Sequence, residues 1–191
     1  KPRGTLAGRV AAHVGEERFI FRPVNRLDRG TSGLMVVARH ALAQKRLMEA
    51  LHTESFLREY LALCQGVMEE DAGCIDAPIG RAPGDGVRRC VREDGKPSRT
   101  DYAVLTRFFQ TNRTLLSLRL HTGRTHQIRV HLMHIGHPVV GDPLYGQMHP
   151  DLQDRFALHA ARLRLVHPFT GETLDFSSPM PQQVRALYAA P

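Results

Sequence analysis

The chain has 191 residues, enough for one domain with a substantial core or for two small lobes that share a sheet. Apolar residues make up 42% of the chain, which excludes a disordered protein. Lysine and arginine number 26 against 19 acidic residues, giving a formal charge of +7. This charge suits a polyanionic partner, although a protein that is simply basic would show the same balance.

The three cysteines, Cys64, Cys74 and Cys90, are odd in number, widely spaced and without a Cys-x-x-Cys pair. We therefore expect neither a disulfide framework nor a zinc ribbon, and a reducing cytoplasm fits this pattern. No stretch is long and apolar enough to span a bilayer, and residues 1–4 contain no apolar signal core. The sequence thus predicts a cytoplasmic protein without a membrane partner.

Apolar spacing predicts several short elements in the first third of the chain. In chain order they are a helix at 5–14 capped by Thr5, a strand at 19–21, a strand at 34–38, a helix at 41–52 and a strand at 58–64.

Residues 80–100 are rich in glycine and proline and predict a loop. Their basic residues are Arg81, Arg88, Arg89, Arg92, Lys96 and Arg99. A flexible basic loop beside a site could follow an RNA backbone, and a solvated hairpin would have the same composition.

The remaining chain predicts a hairpin, a helix and a second hairpin. The hairpin strands are predicted at 102–109 and 114–120, the helix runs from its cap Thr125 to Ile135, and the last hairpin turns at 167–171. Strands outnumber helices and pair mostly as hairpins. We therefore expect an α+β fold around a largely antiparallel or mixed central sheet, flanked by helices and loops.

Asp28 lies between Arg26 and Arg29 in a turn rich in glycine, serine and threonine. Such a turn needs Gly30 or Gly33 for its backbone. An aspartate at this position can serve catalysis, or it can cap the turn and do nothing more. Local sequence does not distinguish these two roles.

A second candidate segment is the helix that follows residue 125. Helical spacing puts His126 and Arg129 on one face, while Ile128 and Leu132 face the core. Arg129 would therefore project from a rigid element, close to a helix N-terminus that favours anions. The alternative is a helix with a solvated basic face.

His131, His134 and His137 recur at intervals of three, as metal ligands can. However, no carboxylate base lies among them, and Gly136 breaks the helix before His137. We expect no metal site here and keep a zinc hydrolase only as an alternative. The sequence also lacks a Gly-x-x-x-x-Gly-Lys loop and a Gly-x-Ser-x-Gly elbow, which argues against nucleotide triphosphatases and serine hydrolases.

Taken together, these segments resemble the RluA-type family of RNA pseudouridine synthases. Residues 24–34 resemble its catalytic motif, 58–62 the strand with its active-site tyrosine, 120–132 its arginine motif, and 136–146, 158–160 and 167–172 its later segments, all in the family's order.

This resemblance implies a pseudouridine synthase fold and the isomerisation of uridine to pseudouridine within RNA, without a cofactor or a metal. Asp28 would be the essential carboxylate, Arg129 its counter-charge, and Tyr60 the aromatic residue that stacks on the target uracil. The target uridine would have to be flipped out of its helix. Further residues expected at the RNA or in the pocket are Arg26, Arg124, His126 and Ile128.

Two positions depart from the family pattern. Asn25 stands where the family usually has histidine, and the segment between Lys1-Pro2 and the first helix is shorter than usual. We expect a single catalytic domain over residues 1–191, incomplete near its N-terminus, monomeric and without an S4 domain. The expected substrate is bacterial large-subunit (23S) ribosomal RNA. A tRNA target and an inactive RNA-binding module remain as alternatives.

Overall fold

The computed structural model describes residues 4–15 and 19–188, so the Lys1-Pro2 pair lies outside the described part of the chain. Over these two ranges the helices and strands alternate irregularly, as expected for an α+β protein. In chain order they are α1 (Leu6–Val14), β1 (Arg22–Pro23), β2 (Ser32–Gly33), β3 (Val37–Ala38), α2 (Ala41–Ala50), β4 (Phe56–Gln65), β5 (Ala72–Asp76), β6 (Ile79–Arg81), β7 (Arg89–Val91), β8 (Arg99–Phe108), β9 (Arg113–Leu120), α3 (Gln127–His134), β10 (Leu158–Val166), β11 (Thr173–Ser177) and α4 (Gln182–Ala186).

The chain divides into two compact units, which are described separately. The first comprises Lys1–Arg26, Met35–Leu57 and Arg164–Asp175, and the second comprises Leu27–Leu34, Arg58–Leu163 and Phe176–Pro191. The expectation of one catalytic domain over the whole chain stays a prediction.

Both helices predicted for the first unit are present. The Thr5 hydroxyl accepts a hydrogen bond from Gly8 N at 3.1 Å, so Thr5 caps α1 as expected. Helix α1 ends at Gly15, which adopts the left-handed conformation with φ of 73°. Helix α2 begins after His40, whose Nδ1 accepts from Ala43 N at 3.2 Å.

Of the two strands predicted near the start of the chain, the one at 34–38 is present but shorter, as β3 (Val37–Ala38), and the one at 19–21 was wrong in its position. The structure places strand β1 at Arg22–Pro23 rather than 19–21, and it pairs antiparallel with the two-residue strand β3. One backbone hydrogen bond continues this pairing, from Val24 N to Val36 O at 2.9 Å, while Val36 N donates to Asn25 Oδ1 at 2.8 Å. A side-chain acceptor thus takes the place of the backbone carbonyl that Val36 N would otherwise meet, and the ladder ends there.

A seven-stranded mixed sheet confirms the predicted fold class. Its strand order is β11-β10-β4-β9-β8-β5, with β2 joined to β10. The pairs β4–β9, β9–β8 and β8–β5 are antiparallel, whereas β2 runs parallel to β10. The β8–β9 pair is the hairpin predicted at 102–120.

The core of the second unit lies between this sheet and α3. Strand β4 alternates buried and half-buried residues up to Leu61 and is then buried through Cys64. The residues of this core that are at most 1% exposed include Ala62, Leu63, Leu116, Leu118 and Leu132. Helix α3 also buries three polar side chains, Gln127, Arg129 and His131. The alternative of a solvated basic helix face is therefore wrong.

The stretch predicted as a loop at 80–100 contains a short hairpin, in which β6 pairs with β7. Its turn is closed by Asp85, whose Oδ1 accepts hydrogen bonds from the backbone N–H groups of Val87 and Arg88. No helix in the described residues combines the length and hydropathy needed to cross a membrane.

Candidate active site

Close packing shapes the turn that carries Asp28. Gly33 has a φ of 109° and lies in the parallel bridge with Ala160, where a Cβ would overlap the Ala160 backbone. Gly30 faces the ring of Phe156, which would overlap a Cβ at that position. Both glycines are therefore needed, and they hold Asp28 against strand β10 and Phe156.

Arg129 is the centre of the site, because its guanidinium contacts two carboxylates at once. Its Nη1 donates to Asp28 Oδ2 at 3.0 Å. Its Nε and Nη2 donate to the two oxygens of Asp142 at 2.6 and 2.8 Å. The side chains of Arg129 and Asp142 are 4% and 0% exposed, while that of Asp28 is 15% exposed. Asp28 is therefore the carboxylate of the three-residue cluster that an incoming molecule can reach.

Two aromatic rings cover the guanidinium of Arg129. Its Cζ lies 4.4 Å from the ring centre of Phe156 and 5.0 Å from that of Tyr145. Cation–π contacts of this kind stabilise a buried guanidinium and fix its plane. Burial lowers the pKa of Arg129, but the bonds and charges of Asp142 and Asp28 outweigh burial and raise it. The arginine therefore stays charged and presents its Nη1 to Asp28.

Asp142 orients the arginine and is itself firmly held. Its Oδ1 also accepts from the backbone N–H groups of Leu144 at 2.9 Å and Tyr145 at 3.3 Å. It follows Gly141, which adopts a φ of 81°. A carboxylate with backbone donors and a bidentate arginine is satisfied although fully buried.

His126 adjoins the same carboxylate. It lies at the N-terminal cap of α3 in the left-handed region, with φ of 58°. Its Nδ1 shares a hydrogen bond of 2.9 Å with Tyr145 Oη, and its Nε2 lies 4.0 Å from Asp28 Oδ2. Burial lowers the pKa of His126, the charge of Asp28 opposes this effect, and Arg129 adds to it. The ring is therefore neutral near pH 7.

The predicted N-cap of this helix, Thr125, was wrong, since α3 begins at Gln127 after His126. The cause is the Gln127 side chain, whose Oε1 accepts from Arg124 N at 2.9 Å and from the Thr122 hydroxyl at 2.8 Å. The glutamine thereby folds the preceding loop onto the helix end. His126 is left in a position where its ring can contact Tyr145.

Tyr60 lies on β4 and is 5% exposed. Burial raises the pKa of Tyr60, the charge of Arg58 lowers it, and the charge of Asp28 raises it further. The hydroxyl is therefore un-ionised at neutral pH. Tyr60 belongs to the same buried apolar cluster as Ile128 and as Phe156, whose ring covers the Arg129 guanidinium.

The structure brings together four of the seven residues predicted for the site: Asp28, Tyr60, His126 and Arg129. Ile128 is buried in the main apolar cluster at 4% exposure. Arg124 is exposed and its Nε donates to Pro97 O at 3.1 Å. Arg26 is exposed and belongs to the first unit, so its predicted RNA contact stays a prediction.

Sequence reasoning missed Asp142 and Tyr145, which are assigned no role from the residues alone. The sequence did offer one indication of a role for Asp142: it is the one charged residue in the otherwise largely apolar stretch 138–145. Their function as supports of Arg129 and His126 depends on side-chain contacts that no local pattern indicates.

The histidine run does not form a metal site. His131 is fully buried, with Nδ1 2.9 Å from the Thr100 hydroxyl and Nε2 3.0 Å from Ala77 O. Both ring nitrogens are thus used inside the protein. Within residues 4–15 and 19–188, no group of three histidine, cysteine, aspartate or glutamate side chains is arranged to hold a metal ion.

Comparison with known proteins identifies the family. A sequence model described as RNA pseudouridylate synthase matches residues 12–134. Ribosomal large subunit pseudouridine synthase D of Nitrosomonas europaea is 46% identical over 197 residues, covering 98% of this chain and 56% of that protein. The protein of the same name from Escherichia coli is 44% identical over 174 residues, covering 84% of this chain and 52% of the relative.

A solved structure, Human RNA Pseudouridylate Synthase Domain Containing 1, superposes with a TM-score of 0.76 at 30% identity, covering 98% of this chain and 86% of that one. The chain therefore belongs to the RNA pseudouridylate synthase family, and the predicted RluA-type resemblance is confirmed. It spans little more than half the length of the two bacterial relatives.

Proposed function

We propose that the protein isomerises uridine to pseudouridine within an RNA chain, with Asp28 as the essential carboxylate. The observation that carries this proposal is the contact of 3.0 Å between Asp28 and an arginine that Asp142 holds rigidly. A carboxylate can attack the base, attack the sugar or remove a sugar proton, and each route requires the ionised form. Arg129 supports that form, and does so from a fixed position.

The reaction breaks the bond between C1′ and N1, turns the uracil and forms a bond between C1′ and C5. The proton lost from C5 balances the proton gained at N1, so the overall change is an isomerisation. A base paired in a helix cannot reach a half-buried carboxylate, so the uridine must be flipped into the site. Asp28, exposed at 15% of its side chain, is the group that such a base can meet.

Tyr60 would stack on the flipped uracil and shield the detached base from water. Its burial and its un-ionised hydroxyl suit an aromatic surface for a neutral base. The hydroxyl would also lie near the C5 proton that must be removed. His126, neutral and 4.0 Å from Asp28, would border the same pocket.

A basic cavity of about 450 Å³ supports an RNA backbone as the partner. The cations that line it are Arg81, Arg89, Lys96 and Arg124. Its one carboxylate, Asp94, already pairs with Arg92. The cavity adjoins the site, because the backbone N–H of Arg89 donates to Tyr145 Oη at 2.8 Å. Phosphates bound there would have their charge neutralised next to the reacting nucleotide.

Large-subunit ribosomal RNA is the substrate that the names of the bacterial relatives favour. The test is to incubate purified protein with a large-subunit rRNA transcript whose uridines are tritiated at C5, with tRNA transcripts in parallel. We expect tritium release from the rRNA, matched by newly mapped pseudouridines. Release from tRNA alone would contradict the proposed substrate, and no release from any RNA would contradict the proposed reaction.

A further inference from the structure

Arg58 is buried, and its Nε lacks a hydrogen-bond partner among the residues that the structure describes. It is 7% exposed, and its Nε is the one buried side-chain nitrogen or oxygen, among the described residues, without a hydrogen-bond partner. No hydrogen bond or ion pair joins Arg58 to another residue in the described part of the chain. An unpaired buried cation is strongly unfavourable, so its presence indicates an anionic partner that the described residues do not supply.

The other buried arginine of the second unit shows the contrast. Arg129 makes three hydrogen bonds to the carboxylates of Asp28 and Asp142 and is covered by two aromatic rings. A buried arginine whose partners lie within the chain is held in this way. Arg58 has a comparable burial without such partners, and burial lowers its pKa.

Arg58 lies on the same face of β4 as Tyr60, since the two are separated by one residue in a strand that alternates buried and half-buried positions. Their Cα atoms are therefore about 7 Å apart along the strand. Tyr60 lies in one apolar cluster with Phe156 and with Leu27, the residue before Asp28, and the charges of Arg58 and Asp28 both act on the pKa of its hydroxyl. The carboxylate of Asp28 is nevertheless paired with Arg129 and leaves Arg58 free.

We propose that Arg58 binds a phosphodiester group of the flipped nucleotide, on the 5′ or the 3′ side of the target uridine. This inference rests on the proposed function. When the uracil lies against Tyr60 and Asp28, its ribose and phosphate extend along the same strand face. Arg129 already supplies the cation at the reacting base. Arg58 precedes Tyr60 by two residues on the same face of β4, where it would meet the phosphate rather than the base. A guanidinium fork matches two phosphate oxygens, which would satisfy the buried Nε.

The first experiment compares Arg58→Met with the wild-type protein in steady-state reactions on a large-subunit rRNA transcript. We expect kcat/KM to fall about tenfold or more, mainly through a higher KM, as for loss of a charged hydrogen bond. The melting temperature should stay unchanged or rise, because methionine removes an unpaired charge from the interior. Arg58→Lys should recover part of the affinity. The matched control is Arg162→Met, an exposed arginine paired with Glu59.

The second experiment places a single uncharged methylphosphonate at each linkage around a converted uridine, in a stem–loop cut from that transcript. For the wild-type protein, the methylphosphonate at one linkage should weaken RNA binding relative to the unmodified RNA. For Arg58→Met, the methylphosphonate at that same linkage should cause no additional loss of affinity. The proposal would be overturned if the Arg58→Met and methylphosphonate effects were additive at every linkage. It would also be overturned if Arg58→Met lowered only kcat, or if both Arg58 variants had a lower melting temperature than the wild-type protein. If the wild-type protein converts no uridine, the proposed function fails by itself. The same coupling can then still be measured in the RNA dissociation constant.

Discussion

Arg129 donates two parallel hydrogen bonds to Asp142, and both side chains are almost completely excluded from solvent. This pair fixes the guanidinium so that its remaining nitrogen, Nη1, meets Asp28. The candidate catalytic carboxylate, Asp28, is thus positioned through Arg129 by a second carboxylate, Asp142, whose side chain is fully buried. The arrangement makes Asp142 a positioning residue for Asp28, acting through Arg129.

Replacing Asp142 with asparagine should impair both folding stability and catalysis. Asparagine cannot balance the charge of Arg129, and its amide group would face Arg129 Nε. Breaking a buried ion pair on one side costs about 3 to 5 kcal/mol, so unfolding should occur at clearly lower denaturant concentration. We also expect kcat to fall about tenfold or more because Nη1 is no longer held.

The matched control is Asp154→Asn, since Asp154 pairs with Arg29 at 3.7 Å where both side chains are about 90% exposed. That surface pair should contribute little, so stability and turnover should stay near the wild-type values. An Asp142→Asn variant as active and as stable as this control would rule out the positioning role.

Arg129→Lys should lose most activity although the positive charge is kept. A single ammonium cannot reproduce the planar fork that reaches Asp28 and Asp142 together. The rate of pseudouridine formation, measured by tritium release under single-turnover conditions, should fall at least about tenfold. A lysine variant that turns over at the wild-type rate would show that charge alone matters and that bidentate geometry does not.

Tyr60→Phe should lower kcat more than it weakens RNA binding. Phenylalanine keeps the aromatic surface against the uracil and removes only the hydroxyl proposed near the C5 proton. Rate and affinity can be separated by single-turnover kinetics and by filter binding of the same RNA. An unchanged kcat would leave stacking as the function of Tyr60 and remove any role in proton transfer.

The stability of the second unit should fall in mild acid because of His131. Burial lowers the pKa of His131 below its ordinary value of 6.5, while the bond to Ala77 O partly opposes this effect. The unfolded chain therefore takes up a proton near pH 6.5 that the folded protein does not accept until lower pH. The stabilisation is fully present above pH 6.5 and is lost as the pH falls through the folded pKa.

Denaturant unfolding between pH 7.5 and 5.0 measures this effect directly. The variant His131→Gln should be less stable at pH 7.5, by about 1 to 3 kcal/mol for a buried residue that loses hydrogen bonds, and should depend less steeply on pH. The control His13→Gln alters an exposed histidine of α1, in the other unit, and should retain the wild-type slope. Equal slopes in all three proteins would contradict this account of His131.

Sequence patterns predicted the elements that depend on local chemistry. Helices α1 and α2 and the β8–β9 hairpin were confirmed because caps, apolar spacing and turn residues act over a few positions. The start of α3 was predicted wrongly, since Gln127 rather than Thr125 organises that loop through its side chain. The contacts of Asp142 with Arg129 and of Tyr145 with His126 join residues 13 and 19 positions apart and depend on tertiary packing.

The central claim is that Asp28 performs the chemistry, and Asp28→Asn tests it most directly. Asparagine keeps the shape of the side chain and removes the charge that Arg129 binds. With the rRNA transcript that the wild-type protein modifies, we predict no detectable pseudouridine and RNA affinity within about threefold of wild type, because binding depends mainly on phosphate contacts elsewhere. The exposed Asp151→Asn variant serves as the control. Pseudouridine formation by Asp28→Asn at the wild-type rate would contradict the assignment.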